Sequence, residues 1–294
     1  MFTNFFLFCI IFCGDVMIIE VNNFNLHDTV TCGQIFRFKV EDDNSYTIIL
    51  CDRVVNLKLD GNKLYIDSND MDNIESVVRK YFDLDFDYDS INKKIISIDK
   101  DNSDIVNSCV GLKIINEPKL EVIISYILSA NNGVPQIRNA LDNISCMFGK
   151  KVSFRGTEYY LFPTIDELNG ASVTDFRVCK TGFRDEYIYG IIQDIISGNF
   201  DYSLIDNMNS DEALKYLMSY KGIGEKVASC ILLFGYHRFD VFPIDTWVKK
   251  YMKDKYCLDK VSDIRKFMLC LCRFRLRPTG RCLCCTCIRQ QHLP

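Results

Sequence analysis

Residues 217–228, Leu-Met-Ser-Tyr-Lys-Gly-Ile-Gly-Glu-Lys-Val-Ala, decide how this chain is read. Apolar spacing on either side predicts two helices, over 211–220 and about 225–236. Between them stands Gly222-Ile223-Gly224, whose glycines permit a tight turn and close backbone approach. Ile223 can then wedge between the helices. The first backbone N–H groups of a helix lack intrahelical acceptors, so the start of the second helix can hold a phosphate.

This is a helix-hairpin-helix pattern, which grips DNA backbone without reading its sequence. A plain helix turn is the simpler alternative, and Gly-x-Gly alone does not decide between them. Lys226 adds to the case. It falls in the first turn of the second helix, where the dipole disfavours a cation. That setting suits a nucleophilic amine, although a surface lysine or a phosphate contact would fit as well. Nineteen residues on, Asp245 stands in Val241-Phe-Pro-Ile-Asp-Thr-Trp-Val248. Pro243 fixes the chain before a helix over about 245–253, and Asp245 takes its N-cap. Taken singly, capping is the commoner role for such an aspartate.

Working outward, the helical text extends over most of the second half. Leu120–Ala130 is nearly all apolar and predicts a buried helix. Helices over 134–148, 184–197 and about 260–270 complete this part. The first part reads differently. Residues 17–68 read as strands, among them Tyr46–Leu50, Val54–Leu59 and Lys63–Ile66, with Asp60-Gly61 as a hairpin turn. Residues 71–82 have helical spacing, the acidic segment 83–89 reads as a surface connection, and 99–108 as a boundary. The fold class is therefore α+β, with an antiparallel domain over 17–108 and a helical domain over 109–267.

Composition excludes disorder and coiled coil: of 294 residues, 48% are hydrophobic and 25% charged. The net charge of −4 is unevenly placed, at −9 over residues 1–110, zero over 111–267 and +5 over 268–294. The last block also holds six of the fifteen cysteines, from Cys270 to Cys287. Its overlapping C-x-x-C pairs make a poor tetrahedral zinc set, so no metal is expected, and 268–294 is set apart as an atypical tail. The other nine cysteines suit reduced thiols of a cytoplasmic protein. The apolar run Phe5–Cys13 is too short to span a bilayer. Residues 1–16 are read as an extension before a start at Met17.

Gly222-Ile-Gly-Glu-Lys226 followed by Pro243-Ile-Asp245 resembles the helix-hairpin-helix superfamily of DNA base-excision glycosylases. Lysine at 226 resembles the bifunctional branch, which removes the base and then cuts the backbone. Thr31-Cys-Gly-Gln-Ile-Phe-Arg-Phe38 is similar to the N-terminal signature of the 8-oxoguanine DNA glycosylases. Ser129-Ala-Asn-Asn132 and Thr181-Gly-Phe-Arg184, after Phe162-Pro163, match further segments of that family in order, over about 20–253.

The resemblance implies roles at the matching positions. The carbonyl of Gly33 would accept from N7–H of 8-oxoguanine, and Cys230 and Pro243 would line the base pocket. Asn131 would fill the space of the flipped nucleotide, Phe183 would wedge into the stack, and Arg184 would contact the orphaned cytosine. Trp247 would lie near the flipped nucleotide's phosphate. Gly222 and Gly224 would carry the DNA-binding hairpin. Each has a plainer reading: a turn glycine, core packing, a helix cap or a surface arginine. Gln136 departs from the arginine many relatives carry, which implies relaxed discrimination of the opposite base. The helix with an Ala-Gln-Gln-Tyr-like run that ends the family is replaced by the Cys/Arg tail. The expected partner is damaged double-stranded DNA, with no cofactor, no membrane and a monomeric chain. A glycosylase for another damaged base and an impaired DNA-binding homologue stand as alternatives.

Overall fold

The computed structural model describes residues 16–98, 103–260 and 263–264. Residues 1–15 of the expected extension 1–16, the tail 268–294 and most of the helix expected over 260–270 lie outside the described residues.

The first part is a five-stranded antiparallel sheet in the order β1-β5-β4-β3-β2. Its strands are β1 Met17–Glu20, β2 Phe38–Val40, β3 Tyr46–Leu50, β4 Arg53–Asp60 and β5 Lys63–Ser68. The Asp60-Gly61 turn sets the β4–β5 register, pairing Asp60 with Lys63 and Leu59 with Leu64. Register matters because side chains alternate between faces. Val55, Leu57, Leu64 and Ile66 are fully buried on the face that meets the helices. Val54 faces the other way and is covered by Phe154 and Leu161. The first of these comes from a second hairpin, β6 Lys151–Phe154 and β7 Thr157–Tyr160.

Three expectations are corrected here. The stretch 17–68 is not all strand, since Leu26–Thr31 forms a helix, α1. Its Asn25 side chain accepts from the Asp28 N–H at 2.9 Å, a local cap that strand propensity does not report. The acidic segment 83–89 is not simply a surface link, because Leu84 and Tyr88 are buried. After α2 Ile74–Tyr81, the chain enters α3 Tyr88–Ile98. Part of the expected boundary is also helical, as α4 Ser103–Ser108. Ile91, Ile95 and Val106 of these helices pack on Phe242, Ile244, Val248 and Met252. Ile91 and Ile95 stand four apart, with Asn92, Lys93 and Lys94 between them.

The helical part continues with α5 Lys119–Leu128, α6 Val134–Phe148, α7 Val173–Val178, α8 Asp185–Ile196, α9 Tyr202–Asn207, α10 Ser210–Met218, α11 Glu225–Gly235 and α12 Thr246–Tyr256. A single turn of 3₁₀ helix, Gly182–Arg184, precedes α8. One apolar cluster runs from Ile19 to Val241, so sheet and helices share a core. At its centre α5 contributes Val122, Ile123, Ile124, Ile127 and Leu128, each at most 1% exposed. Burial of each such side chain favours folding by roughly 1.5–3 kcal/mol over exposure. Helix α11 lies antiparallel to α5. The Glu117 N–H donates to the Phe234 carbonyl at 2.8 Å at one end, and Lys226 meets Ser129 at the other. Gly235 permits this approach, since a Cβ there would sit 2.5 Å from Val122 Cγ1.

The segment Gly33–Phe38 straps the two parts together. The buried Gln34 carboxamide donates to the Lys113 carbonyl at 2.8 Å and accepts from the Ile115 N–H at 3.1 Å. Arg37, 7% exposed, meets Glu121 and Asp142, each at 3.5 Å, and also donates to the Tyr160 carbonyl. Burial pushes the Glu121 carboxyl up, opposed by the Arg37 charge. Glu117, which accepts from the Tyr81 hydroxyl, is pushed up by burial and by the charge of Glu121. Among the described residues no helix is long and apolar enough to cross a membrane.

Candidate nucleic-acid interface and active site

Helices α10 and α11 form the hairpin. Ile223 is 4% exposed and sits in the common core between them. Gly222 has φ +88°, and a Cβ there would come within 2.7 Å of Tyr187. Gly224 is the N-cap of α11 in an extended conformation, φ −85° and ψ 177°. It brings no side chain to the cap, so ligands can approach the N–H groups of the first turn.

Lys226 lies in that first turn and is half-buried. Its Nζ donates to Ser129 Oγ at 3.0 Å and stands 5.3 Å from the centre of the Tyr126 ring. The ring stacks on Phe234 at 5.5 Å and meets Phe36 edge-on. Its hydroxyl donates to the Gln34 carbonyl at 3.3 Å. The lysine's surroundings thus lead back to the Gly33–Phe38 strap. Cys230, one turn beyond Lys226, is 3% exposed. Gly33, with φ +87°, begins the strap.

Asp245 is the N-cap of α12, and its carboxylate accepts from the Val248 N–H at 2.9 Å. Val241 to Ile244, Pro243 included, are buried and anchor this cap. In the first turn of the helix, Trp247 remains 43% exposed.

The third element is the turn after α5. Asn131 is exposed with φ +51°, a left-handed conformation that asparagine tolerates better than most residues. Arg184 holds this turn. Its guanidinium, 5% exposed, donates to the carbonyls of Ala130 (3.0 Å), Asn131 (2.9 Å) and Thr181 (3.3 Å). Beside it Phe183 is 60% exposed, in T-shaped contact with Tyr187. Tyr187 is also the residue against which Gly222 packs. One network of contacts therefore joins Gly222, Tyr187, Phe183, Arg184, Asn131, Ser129 and Lys226. Ser129 and Tyr187 belong to the segments that carry the family resemblance, yet the sequence assigns neither a role of its own, and nothing marks Tyr126. Gln136 is exposed, with its Oε1 folded over Gly133.

Clefts elsewhere do not compete with this site. One of about 670 Å³ is lined by Met71, Arg79, Asp83 and His237 among others, and includes neither Lys226 nor Asp245. No group of metal-ligating side chains occurs among the described residues. Among the described cysteines, Cys32, Cys109, Cys179 and Cys230 are buried.

Residues 16–123 match the family model described as 8-oxoguanine DNA glycosylase, N-terminal domain. A probable N-glycosylase/DNA lyase of Methanothermobacter thermautotrophicus is 30% identical over 191 residues. That match takes in 58% of this chain but 60% of the relative, so the chain spans only part of the length of the curated relatives. Solved structures match further. The 8-oxoguanine glycosylase/lyase of Clostridium acetobutylicum, in complex with duplex DNA bearing cytosine opposite 8-oxoguanine, is 34% identical with a TM-score of 0.80. It covers 85% of this chain and 90% of its own. MBOgg1, solved with a low-affinity DNA ligand, is 31% identical with a TM-score of 0.84, covering 95% and 93%. With identity above three in ten sustained over nearly the whole of both solved chains, this protein belongs to the family of 8-oxoguanine DNA glycosylase/lyases.

Proposed function

We propose that this chain excises 8-oxoguanine from duplex DNA and then cuts the strand at the emptied site. The observation that supports this reading best is the amine of Lys226, half-buried in the first turn behind a glycine hairpin and touching the turn that carries Asn131. An amine beside DNA-binding elements suits covalent attack on a sugar better than simple phosphate binding.

The α11 N-terminus and hairpin hold the backbone, and the target nucleotide leaves the stack because C1′ cannot be reached inside a duplex. Phe183 wedges into the stack, and Asn131 fills the vacated space. Arg184 faces the orphaned base, for which its guanidinium must release or reach past the carbonyls it now holds. The Gly33 carbonyl accepts from N7–H of 8-oxoguanine. Ordinary guanine has no hydrogen on N7 and would leave that acceptor unpaired. Cys230 and Pro243 line the base pocket, and Trp247 contacts the flipped nucleotide.

The Lys226 lone pair forms the bond to C1′ while the bond to the base breaks, and the electron pair departs with the base. Asp245 stabilises the positive charge that develops on the sugar. Loss of a proton from the nitrogen to O4′ breaks the C1′–O4′ bond and gives an imine, which acidifies the C2′ proton, and loss of that proton expels the 3′ phosphate by β-elimination. The chain is proposed to act as a monomer in the cytoplasm. Borohydride is expected to cross-link the protein to a duplex with 8-oxoguanine opposite cytosine, and Lys226→Gln to abolish the cross-link. Trapping by Lys226→Gln would refute the nucleophile. Release of uracil or alkyl-adenine in preference to 8-oxoguanine would refute the substrate.

A further inference from the structure

Lys226 ends in a flexible stem of four carbons, and a nucleophile on such a stem must be held still to react quickly. We propose that Ser129 is the positioning residue that holds the Lys226 amine with its lone pair free for attack. This inference rests on the reaction proposed above.

A serine hydroxyl has one hydrogen and two lone pairs. Ser129 Oγ–H donates to the Tyr126 carbonyl at 2.8 Å, so its hydrogen is committed within its own helix end. Toward Lys226, at 3.0 Å, the oxygen can then act only as an acceptor. The distinction bears on the chemistry. A hydroxyl free to donate would place its hydrogen on the amine lone pair and block attack. An acceptor takes one N–H and leaves the lone pair available.

The seat is rigid for reasons already given. Ser129 is the C-cap of α5, and Lys226 stands in the first turn of α11. The two helices are buried, antiparallel and closely packed through Gly235 and Val122. The Ser129–Lys226 distance is therefore set by helix packing, not by a loop. The Tyr126 ring stands 5.3 Å from the amine and is itself held by Phe234 and Phe36.

The test is single-turnover borohydride trapping on a duplex with a natural abasic site, which bypasses base recognition. Wild type is compared with Ser129→Ala and Ser129→Thr at saturating DNA. Loss of one oriented hydrogen bond predicts about tenfold slower trapping by Ser129→Ala. Affinity for a duplex carrying a reduced abasic analogue, which cannot form an imine, should stay within about twofold, since DNA contacts are untouched. Ser129→Thr keeps the hydroxyl and should trap within about threefold of wild type. Wild-type trapping rates in Ser129→Ala would overturn the inference alone. So would equal slowing in both variants, or a parallel loss of affinity and rate, because each would show a merely structural role. Failure of the wild type to trap at all would overturn the proposed reaction and this inference with it.

Discussion

Gly222→Ala separates the two glycines of the hairpin. Position 222 has φ +88°, where a Cβ costs roughly 1–2 kcal/mol. The added methyl would also lie 2.7 Å from Tyr187 Cδ2 and Cγ and 2.8 Å from its Cβ. These atoms are the root of the side chain, so no rotamer change clears the clash and backbone must move. Such overpacking costs about 1–3 kcal/mol. The total, about 2–5 kcal/mol, corresponds to a fall in melting temperature of roughly 4–20 °C for a domain of this size. The shift would also reach function, because Tyr187 packs on Phe183. Gly224→Ala is the control, since a Cβ there meets nothing within 4 Å and the backbone is extended. It should cost only about 0.5–1 kcal/mol through a poorer N-cap. Thermal unfolding and duplex binding would be measured for both. A Gly222→Ala protein that melts and binds like wild type would refute the account of the hairpin.

Three other perturbations test separate parts of the site. Asp245→Asn keeps a capping side chain, so stability should change by less than about 0.5 kcal/mol while excision falls on the order of 100-fold; equal activity would remove Asp245 from the chemistry. Arg184→Gln should lower the melting temperature by several degrees, because the carbonyls of Ala130, Asn131 and Thr181 lose their donor; an unchanged melting temperature would mean the side chain is not structural. Glu117→Gln removes a carboxyl whose folded pKa is raised above 4.5. A group raised on folding stabilises below its unfolded pKa and loses that contribution as pH rises through the folded value. Melting curves of the wild type should therefore decline relative to the variant above about pH 4.5, and parallel curves from pH 4 to 9 would refute the burial of this charge.

Much of this fold was legible in the sequence because its longer helices and strands carry strong periods. The β4–β5 hairpin follows from Asp60-Gly61, and α5 follows from an apolar run too dense for a surface helix. Elements held by local hydrogen bonds were not legible. Helix α1 depends on one Asn25 cap, and the Ile91/Ile95 stripe of α3 is only two residues long and interrupted by Asn92, Lys93 and Lys94. The site shows the same division. Lys226 and Asp245 could be found because their chemistry is tied to glycine and proline spacing. Ser129 and Tyr187 stand in recognisable segments, but what they do depends on contacts between α5 and α11 and between α8 and the hairpin, which the segments do not reveal.

The structure also changes what the recognisable segments mean. Gly33–Phe38 is the clearest family signature in the first part, yet most of its side chains are scaffold. Gln34 and Arg37 bind carbonyls and carboxylates inside the protein, and Phe36 packs on Tyr126. Arg138 donates to the Phe36 carbonyl at 2.8 Å, and Arg184 is likewise turned inward. Several arginines that a charge count would assign to DNA are thus committed to backbone oxygens. On the proposed function, a chain of net charge −4 would rely on few cations and more on oriented amides at the α11 N-terminus. That division has a geometric consequence. Point charges attract a backbone from many directions, whereas a helix N-terminus fixes one phosphate relative to its own first turn. Because Lys226 belongs to that same turn, the proposed docking contact would also set the register at which its amine meets the sugar.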